Sequence, residues 1–425
     1  MKDRMIPKEW TRTRIGSACS VSIGGTPSRG KLELWDREKE TDNVWVSIRD
    51  LKKKYIGDTA QYISNSGVRK SNVKKVSKGT TLMSFKLTIG RVGVAQRDLY
   101  TNEAIAALVP NGLLSNEYLY YGLQFWNLLG DVDTAVKGST LNKEKIKKIP
   151  IFFPASLPEQ NQIVAVLCGL DELISKTEAL IAKLGRVKQG LMQDLLTFGI
   201  DETGNIRSEK THRFKDSPLG RIPVEWEVRP LRQYLQYISY GFTNPMPETE
   251  GGPYMVTATN IFDGRVQYES CRHTSEYAYR NLLTKKSKPV LNDILLTKDG
   301  SLGRLALVDR SEICINQSVA VLRTEKVVSP QFIKRLLEAP AYQKRMDDDA
   351  GGSTIRHIYI TRVGKMPIAV PGSNEEQAKI CSMLSQADGL VEDEIAYRDK
   401  LCSLKRGLME DLLTGTVRVN RLLKQ

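Results

Sequence analysis

Gly190-Leu-Met-Gln-Asp-Leu-Leu-Thr197 returns 217 residues later as Gly407-Leu-Met-Glu-Asp-Leu-Leu-Thr414. At the same interval Glu159-Gln160 returns as Glu376-Gln377, and Ile149-Pro150-Ile151 with Pro154 returns as Met366-Pro367-Ile368 with Pro371. Gly138-Ser139-Thr140 matches Gly352-Ser353-Thr354, and Thr88-Ile89-Gly90-Arg91 matches Ser301-Leu302-Gly303-Arg304. Ile6-Pro7-Lys8-Glu9-Trp10 matches Ile222-Pro223-Val224-Glu225-Trp226. The interval drifts by only a few residues over half the chain, so one module of about 215 residues is used twice.

Each module opens with a mixed segment, residues 1–156 and 221–371. Short β-rich stretches such as Val44–Ile48, Thr80–Phe85 and Asp293–Thr297 are punctuated by Gly, Asn and Asp, which predicts strands joined by turns. Helical patterns follow over Asn116–Leu129 and Pro330–Met346. Each module closes on a long helix, 157–198 and 372–415, with Pro158 in a first turn and Asn374 as N-cap. Residues 199–220 are polar and glycine-bearing and read as a linker, and 416–425 as a tail.

The first long helix carries heptad rows: Ile163, Leu170, Leu184 and Leu191; Val166, Leu173, Leu180 and Val187; Leu167, Ile174, Ile181 and Leu195. The second repeats them less cleanly, with Ile380, Met383, Leu384, Leu390, Val391, Leu401, Leu404 and Leu408. Such a stripe needs an apolar partner, and two helices in one chain can supply each other. Residue pattern alone leaves antiparallel and parallel pairing open. A helix of about 40 residues is roughly 60 Å long, against about 34–36 Å for a turn of DNA.

Composition narrows the function. The 425 residues are 40% apolar and 26% charged, which excludes a disordered, collagen-like or small disulfide-stapled chain. Apolar runs such as Ile163–Leu170 are far shorter than a membrane span. Met1-Lys-Asp-Arg-Met-Ile-Pro7 holds no apolar signal-peptide core, so a cytoplasmic protein with no membrane partner is expected. Lys and Arg outnumber Asp and Glu by 63 to 49, a formal charge of +14. That balance points to a polyanionic partner, most commonly nucleic acid, with a merely basic enzyme as the plain alternative. The six cysteines form no C-x-x-C pair, and only three histidines exist. Zinc or histidine-dependent chemistry is poorly supplied, and the thiols read as incidental.

Candidate DNA contacts cluster in matched loops. Arg91 and Arg304 sit at matched places, each preceded by a lysine (Lys86, Lys298) and a hydroxyl (Thr88, Ser301), and cations on turns grip phosphates. Lys137, Ser139, Thr140 and Lys143 answer to Ser353, Thr354 and Arg356 around the Gly-Ser-Thr loops. Arg49 and Asn260 follow equivalent strands, and such side chains read guanine and adenine edges. Asn244-Pro245-Met246-Pro247 lacks the second proline and the aromatic of an adenine-methyltransferase motif. No phosphate loop, helicase box or acidic nuclease cluster stands out, so no catalytic residue, metal or cofactor is assigned to this chain. Two other readings compete: an enzyme that modifies DNA through an unrecognised site, and a coiled-coil scaffold whose globular parts bind protein.

Taken in order, these motifs resemble the specificity subunit of type I restriction-modification systems, over nearly the whole chain. The resemblance rests on Ile-Pro-x-Glu-Trp opening each half, Gly-Ser-Thr before Pro-Ile-x-x-Pro, then Glu-Gln and a helix ending in Gly-Leu-Met-x-Asp-Leu-Leu-Thr. It implies an α+β fold: two mixed α/β target recognition domains separated by two long helices, which pair as an antiparallel coiled coil with pseudo-two-fold symmetry. It implies that each domain reads one half of a split double-stranded DNA target while the helices set the gap. It further implies two modification (methyltransferase) subunits docked on the helices and carrying S-adenosylmethionine, and two restriction subunits using ATP and Mg. The globular halves match only in short patches, so an asymmetric target is expected.

Overall fold

The computed structural model describes residues 6–128, 141–351 and 356–419. The chain divides into two units, Met1–Ala179 with Ala396–Gln425, and Leu180–Ile395. Each unit holds one mixed segment, the first half of the long helix that follows it, and the second half of the other long helix.

Both units repeat one strand plan. In the first, Trp10–Arg14 pairs antiparallel with Pro150–Pro154, Trp10 opposite Pro154. In the second, Trp226–Pro230 pairs with Pro367–Pro371, Trp226 opposite Pro371. The Trp that ends Ile-Pro-x-Glu-Trp thus opens a strand whose partner is the Pro-Ile-x-x-Pro segment, in both units. The next sheet also keeps its order. Cys19–Ile23, Ile105–Pro110, Thr81–Ser84 and Val92–Ala95 lie side by side in one unit, and Leu235–Tyr240, Val319–Thr324, Ile294–Thr297 and Leu305–Leu307 in the other. The helix expected over Pro330–Met346 is two, Pro330–Glu338 and Pro340–Asp348. Pro340 has no N–H to continue the first and starts the second.

The long helices span Leu157–Phe198 and Asn374–Thr414. Asp171 meets Lys405 at 2.5 Å in the first unit, and Lys188 pairs with Asp388 in the second. Seventeen residues forward along one helix is seventeen back along the other, so the pair is antiparallel. Ile163, Leu167 and Thr177 are buried on the seam, with Leu170, Ile174, Ile181, Leu184 and Leu191 half-buried. A two-helix seam covers only a narrow stripe, so the row through Leu173, Leu180 and Val187 faces outward, at 38%, 39% and 57% exposure.

The Glu-Gln pair at the start of each long helix is a clasp. Gln160 accepts from Ser115 N (2.9 Å) and donates to Leu113 O (3.0 Å) and Pro154 O (2.8 Å). Gln377 accepts from Ser329 N (2.8 Å) and donates to Pro371 O (3.0 Å). Glu159 takes Arg418 from beyond the second helix, at 2.6 and 2.9 Å. Glu376 takes Arg207 from beyond the first. Residues 199–220 are thus no plain linker. Ile200 is buried, Arg207 is clasped, and Phe214–Ser217 forms a hairpin with Gly220–Pro223. The helix ends close each core: Leu412 and Leu413 pack with Trp10, Ile163 and Leu167, and Leu195 and Leu196 with Trp226, Ile380 and Leu384.

Candidate nucleic-acid interface

The matched hairpins are built alike. Ser84 Oγ donates to Thr88 O (2.5 Å) and accepts from Arg91 N (3.0 Å). Thr297 Oγ1 donates to Ser301 O and accepts from Arg304 N (2.9 Å). Gly90 and Gly303 sit at φ +85° and +78°, where L side chains are strained. One residue of each turn takes the same left-handed region: Gly300 at +77° in the second copy, and Leu87 at +61° in the first. A leucine there costs about 1–2 kcal/mol of backbone strain, and its side chain is 96% exposed.

Arg91 and Arg304 each spend one of five donors on holding the hairpin. Arg91 Nη1 reaches Ile48 O at 3.5 Å, and Arg304 Nη1 reaches Ile261 O at 3.2 Å. This contact gathers Arg49, Lys86, Thr88 and Arg91 into one region of the first unit, with Arg49, Thr88 and Arg91 exposed. Lys86 Nζ lies 5.6 Å from the Phe85 ring centre. Nearby, burial pushes the Glu103 carboxyl up. The Thr26 hydroxyl and the charges of Lys86 and Arg29 outweigh that and hold it below the usual carboxylate range. Lys143 stands apart, exposed at the start of the helix Lys143–Lys148.

In the second unit Ile358 N donates to Lys298 O (2.9 Å), which draws Arg356 toward Lys298, Ser301 and Arg304. Lys298 bonds Asp299 at 2.7 Å and lies 5.6 Å from the Tyr240 ring. Asp299 also meets His357 Nδ1 at 2.5 Å. Burial raises the Asp299 carboxyl, but its His357 and Lys298 partners hold it below its ordinary value. Arg356 is paired with Asp347 at 2.8 Å. Lys137, Ser139, Thr140, Ser353 and Thr354 lie outside the described residues.

Asn260 is a correction. Its equivalent is Asp50 rather than Arg49, because Ser47 with Asp50 and Thr257 with Asn260 form matching capping boxes. Asn260 is 5% exposed. Its Oδ1 accepts from Thr257 N (2.9 Å) and Oγ1 (2.7 Å), and its Nδ2 donates to Ser270 O (2.9 Å) and Oγ (3.0 Å). Nothing is left to read adenine. Asn260→Ala should cost about 1–3 kcal/mol in urea unfolding while leaving the selected DNA motif unchanged. A motif altered at one position would restore a reading role.

Arg29 was missed. Its guanidinium lies 4.3 Å from the Trp35 ring and 4.9 Å from Trp45, with Nη2 at 3.4 Å from Gln61 Oε1. It borders a shallow cleft of about 250 Å³ shared with Asp36 and Tyr62. It lies in Gly24-Gly25-Thr26-Pro27-Ser28-Arg29, directly after the strand Cys19–Ile23. A side chain on Gly24 would strike Thr101 O, so the glycine lets the loop turn close to the sheet. Sequence does not single out Leu87 either, because φ is invisible in it.

Among the described residues no group of three His, Cys, Asp or Glu side chains could hold a metal, and no helix is long and apolar enough to cross a membrane. Burial pushes the Cys19 and Cys314 thiols up to about 12, which leaves them unreactive.

A family model described as type I restriction modification DNA specificity domain matches residues 7–186 and again 223–396. The chain belongs to that family. The specificity subunit of the type I restriction enzyme MjaVIII from Methanocaldococcus jannaschii is 23% identical over 429 residues, covering 98% of this chain and 95% of the relative. That of EcoBI from Escherichia coli is 28% identical over 415 residues, covering 93% and 81%. The type I restriction-modification S subunit from M. genitalium shares the fold, with TM-score 0.53, 15% identity and 97% of each chain covered. As a family member the chain is a DNA specificity subunit, the recognition component of a type I system. The matched hairpins and clasps thus belong to two copies of one specificity domain.

Proposed function

We propose that each unit reads one short block of duplex DNA, and that the antiparallel helix pair sets an unspecified gap between the blocks. The observation that carries this is the pair of hairpins, 84–91 and 297–304. They share their turn hydrogen bonds but present different side chains: Lys86, Leu87 and Thr88 in one, Asp299, Gly300 and Ser301 in the other. One scaffold with two sets of tips suits an asymmetric target. Arg49, Lys86, Thr88, Arg91, Lys143, Lys298, Ser301, Arg304 and Arg356 supply the phosphate and base contacts, with Lys137, Ser139, Thr140, Ser353 and Thr354 from the Gly-Ser-Thr loops.

Selection from a random duplex library, with the methyltransferase partner co-expressed, should retain two short blocks at a fixed spacing. Affinity should fall steeply as salt rises, since phosphate contacts release counterions. A single contiguous block would reduce the reader to one unit. No enrichment at all would favour the scaffold.

Catalysis, S-adenosylmethionine, ATP and Mg belong in this reading to partner subunits, two for modification and two for restriction, in the cytoplasm. Outward rows on the helices support the docking. The first unit exposes Leu173, Tyr397 and Leu404, and the second Leu180, Val187 and Leu390. Leu390, Tyr397 and Leu404 stand 217 residues after Leu173, Leu180 and Val187, so each unit offers a matching apolar row. Lysine at Leu180 and Leu390 together, both in the second unit, should leave the fold intact and cut methyltransferase co-purification to about half, because charge is depleted from interface cores and the first unit keeps its own row. Undiminished capture would move the docking surface elsewhere.

A further inference from the structure

We propose that Leu87 inserts into the DNA at the block read by the first unit, as an apolar wedge against the bases. The inference rests on the DNA-reading function above and adds a residue that this function did not need. Three observations converge on it. Leu87 is 96% exposed, the highest exposure among the large apolar side chains described, so it adds nothing to a core. It occupies a left-handed position, φ +61°, in a turn whose copy in the second unit uses Gly300 at +77°. Folding alone would favour glycine there, as the second copy shows. The hydrogen bonds of Ser84 to Thr88 and Arg91 close the turn, and Arg91 Nη1 reaches Ile48 O at 3.5 Å. The leucine is therefore presented at the tip of a hydrogen-bonded turn.

Its surroundings name the occupant. Lys86 and Arg91 flank Leu87 on the same hairpin, and Arg49 lies across the Arg91–Ile48 contact. An apolar tip ringed by cations fits a polyanion with an apolar interior, which is stacked bases inside a phosphate backbone. Leucine is among the side chains that proteins push between base steps, unstacking them. A protein partner would instead offer an apolar pocket, and the ring of cations would then be left facing it. The second unit has Gly300 at this place beside Asp299, which is held by Lys298 and His357. Its block is read without a wedge, so the two halves of the target differ in deformability as well as in sequence.

The test compares wild type, Leu87→Gly and Leu87→Ala, each as the full chain with its methyltransferase partner, in duplex selection and in binding to the wild-type target. Leu87→Gly should raise thermal stability, since glycine relaxes the turn, while affinity for the target falls roughly tenfold or more. Base preference should weaken in one of the two blocks and stay unchanged in the other. Leu87→Ala keeps the left-handed strain and loses the wedge, so it should bind as poorly as Leu87→Gly without the stability gain. Unchanged affinity and motif in both variants would overturn the wedge while leaving the bipartite reader intact. Equal weakening of both blocks would also overturn it, because the effect would then come through the fold. If wild type itself selects no DNA, the underlying reading fails and the wedge with it.

Discussion

One heptad inserted after Ile181 and another before Ile395 is expected to widen the unspecified gap in the DNA target by about three base pairs. The two points face each other on the helix pair, between the Asp171–Lys405 and Lys188–Asp388 contacts. Seven residues keep the apolar seam in phase, so the ion pairs and the half-buried seam on either side are preserved. At 1.5 Å per residue the helices grow by about 10 Å, and duplex DNA rises about 3.4 Å per base pair. Both blocks should keep their sequence, because neither hairpin is touched. Binding to the original target should fall by roughly a hundredfold or more, since one block is then out of reach and the remaining one must bind alone. Repeating the duplex selection checks this. A gap that stays the same would show that something other than the helices measures it.

The second large effect concerns stability. Glu376→Ala should destabilise the second unit by about 3–5 kcal/mol, the usual cost of stripping one partner from a buried ion pair. The Glu376 and Arg207 side chains are each only 10% exposed. The carboxylate also accepts from Trp226 Nε1 (3.2 Å) and Ile200 N (3.1 Å). Its loss strands three donors at once, beside Leu195, Leu196 and Ile380 in the same core. In calorimetry the transition of that unit should move down by about 10 °C. Glu159→Ala in the first unit should cost less. Arg418 is 26% exposed, and Trp10 Nε1 has no hydrogen-bond partner among the described residues. Equal losses in the two variants would refute the weight placed on the Trp226 and Ile200 contacts.

These clasps show how far sequence reasoning reaches. Glu159-Gln160 and Glu376-Gln377 announced themselves by repetition, but their repetition did not say what they hold. Each binds an arginine that follows the opposite long helix, and no local pattern links Glu159 to Arg418 across 259 residues. The hairpins at 84–91 and 297–304 were legible as turns from their glycines. Asn260 was misread because its residue type suits adenine as well as a cap, and only burial chooses between the two. The stacking of Arg29 is not legible in sequence, because its surface is assembled from Trp35 and Trp45 on separate strands.

By itself the sequence determined the module and its duplication, the two long helices and the surplus of positive charge. Those features depend on local spacing, helical periodicity and composition, which are written along the chain. Tertiary structure decided the rest. The apolar rows needed a partner but could not say in which direction it ran, and the pairs Asp171–Lys405 and Lys188–Asp388 settle that. The seam buries two rows and leaves the third outward, because a pair of helices covers only a narrow stripe. The strain at Leu87 exists only in a backbone torsion, which the residue type disfavours and the anchored hairpin imposes.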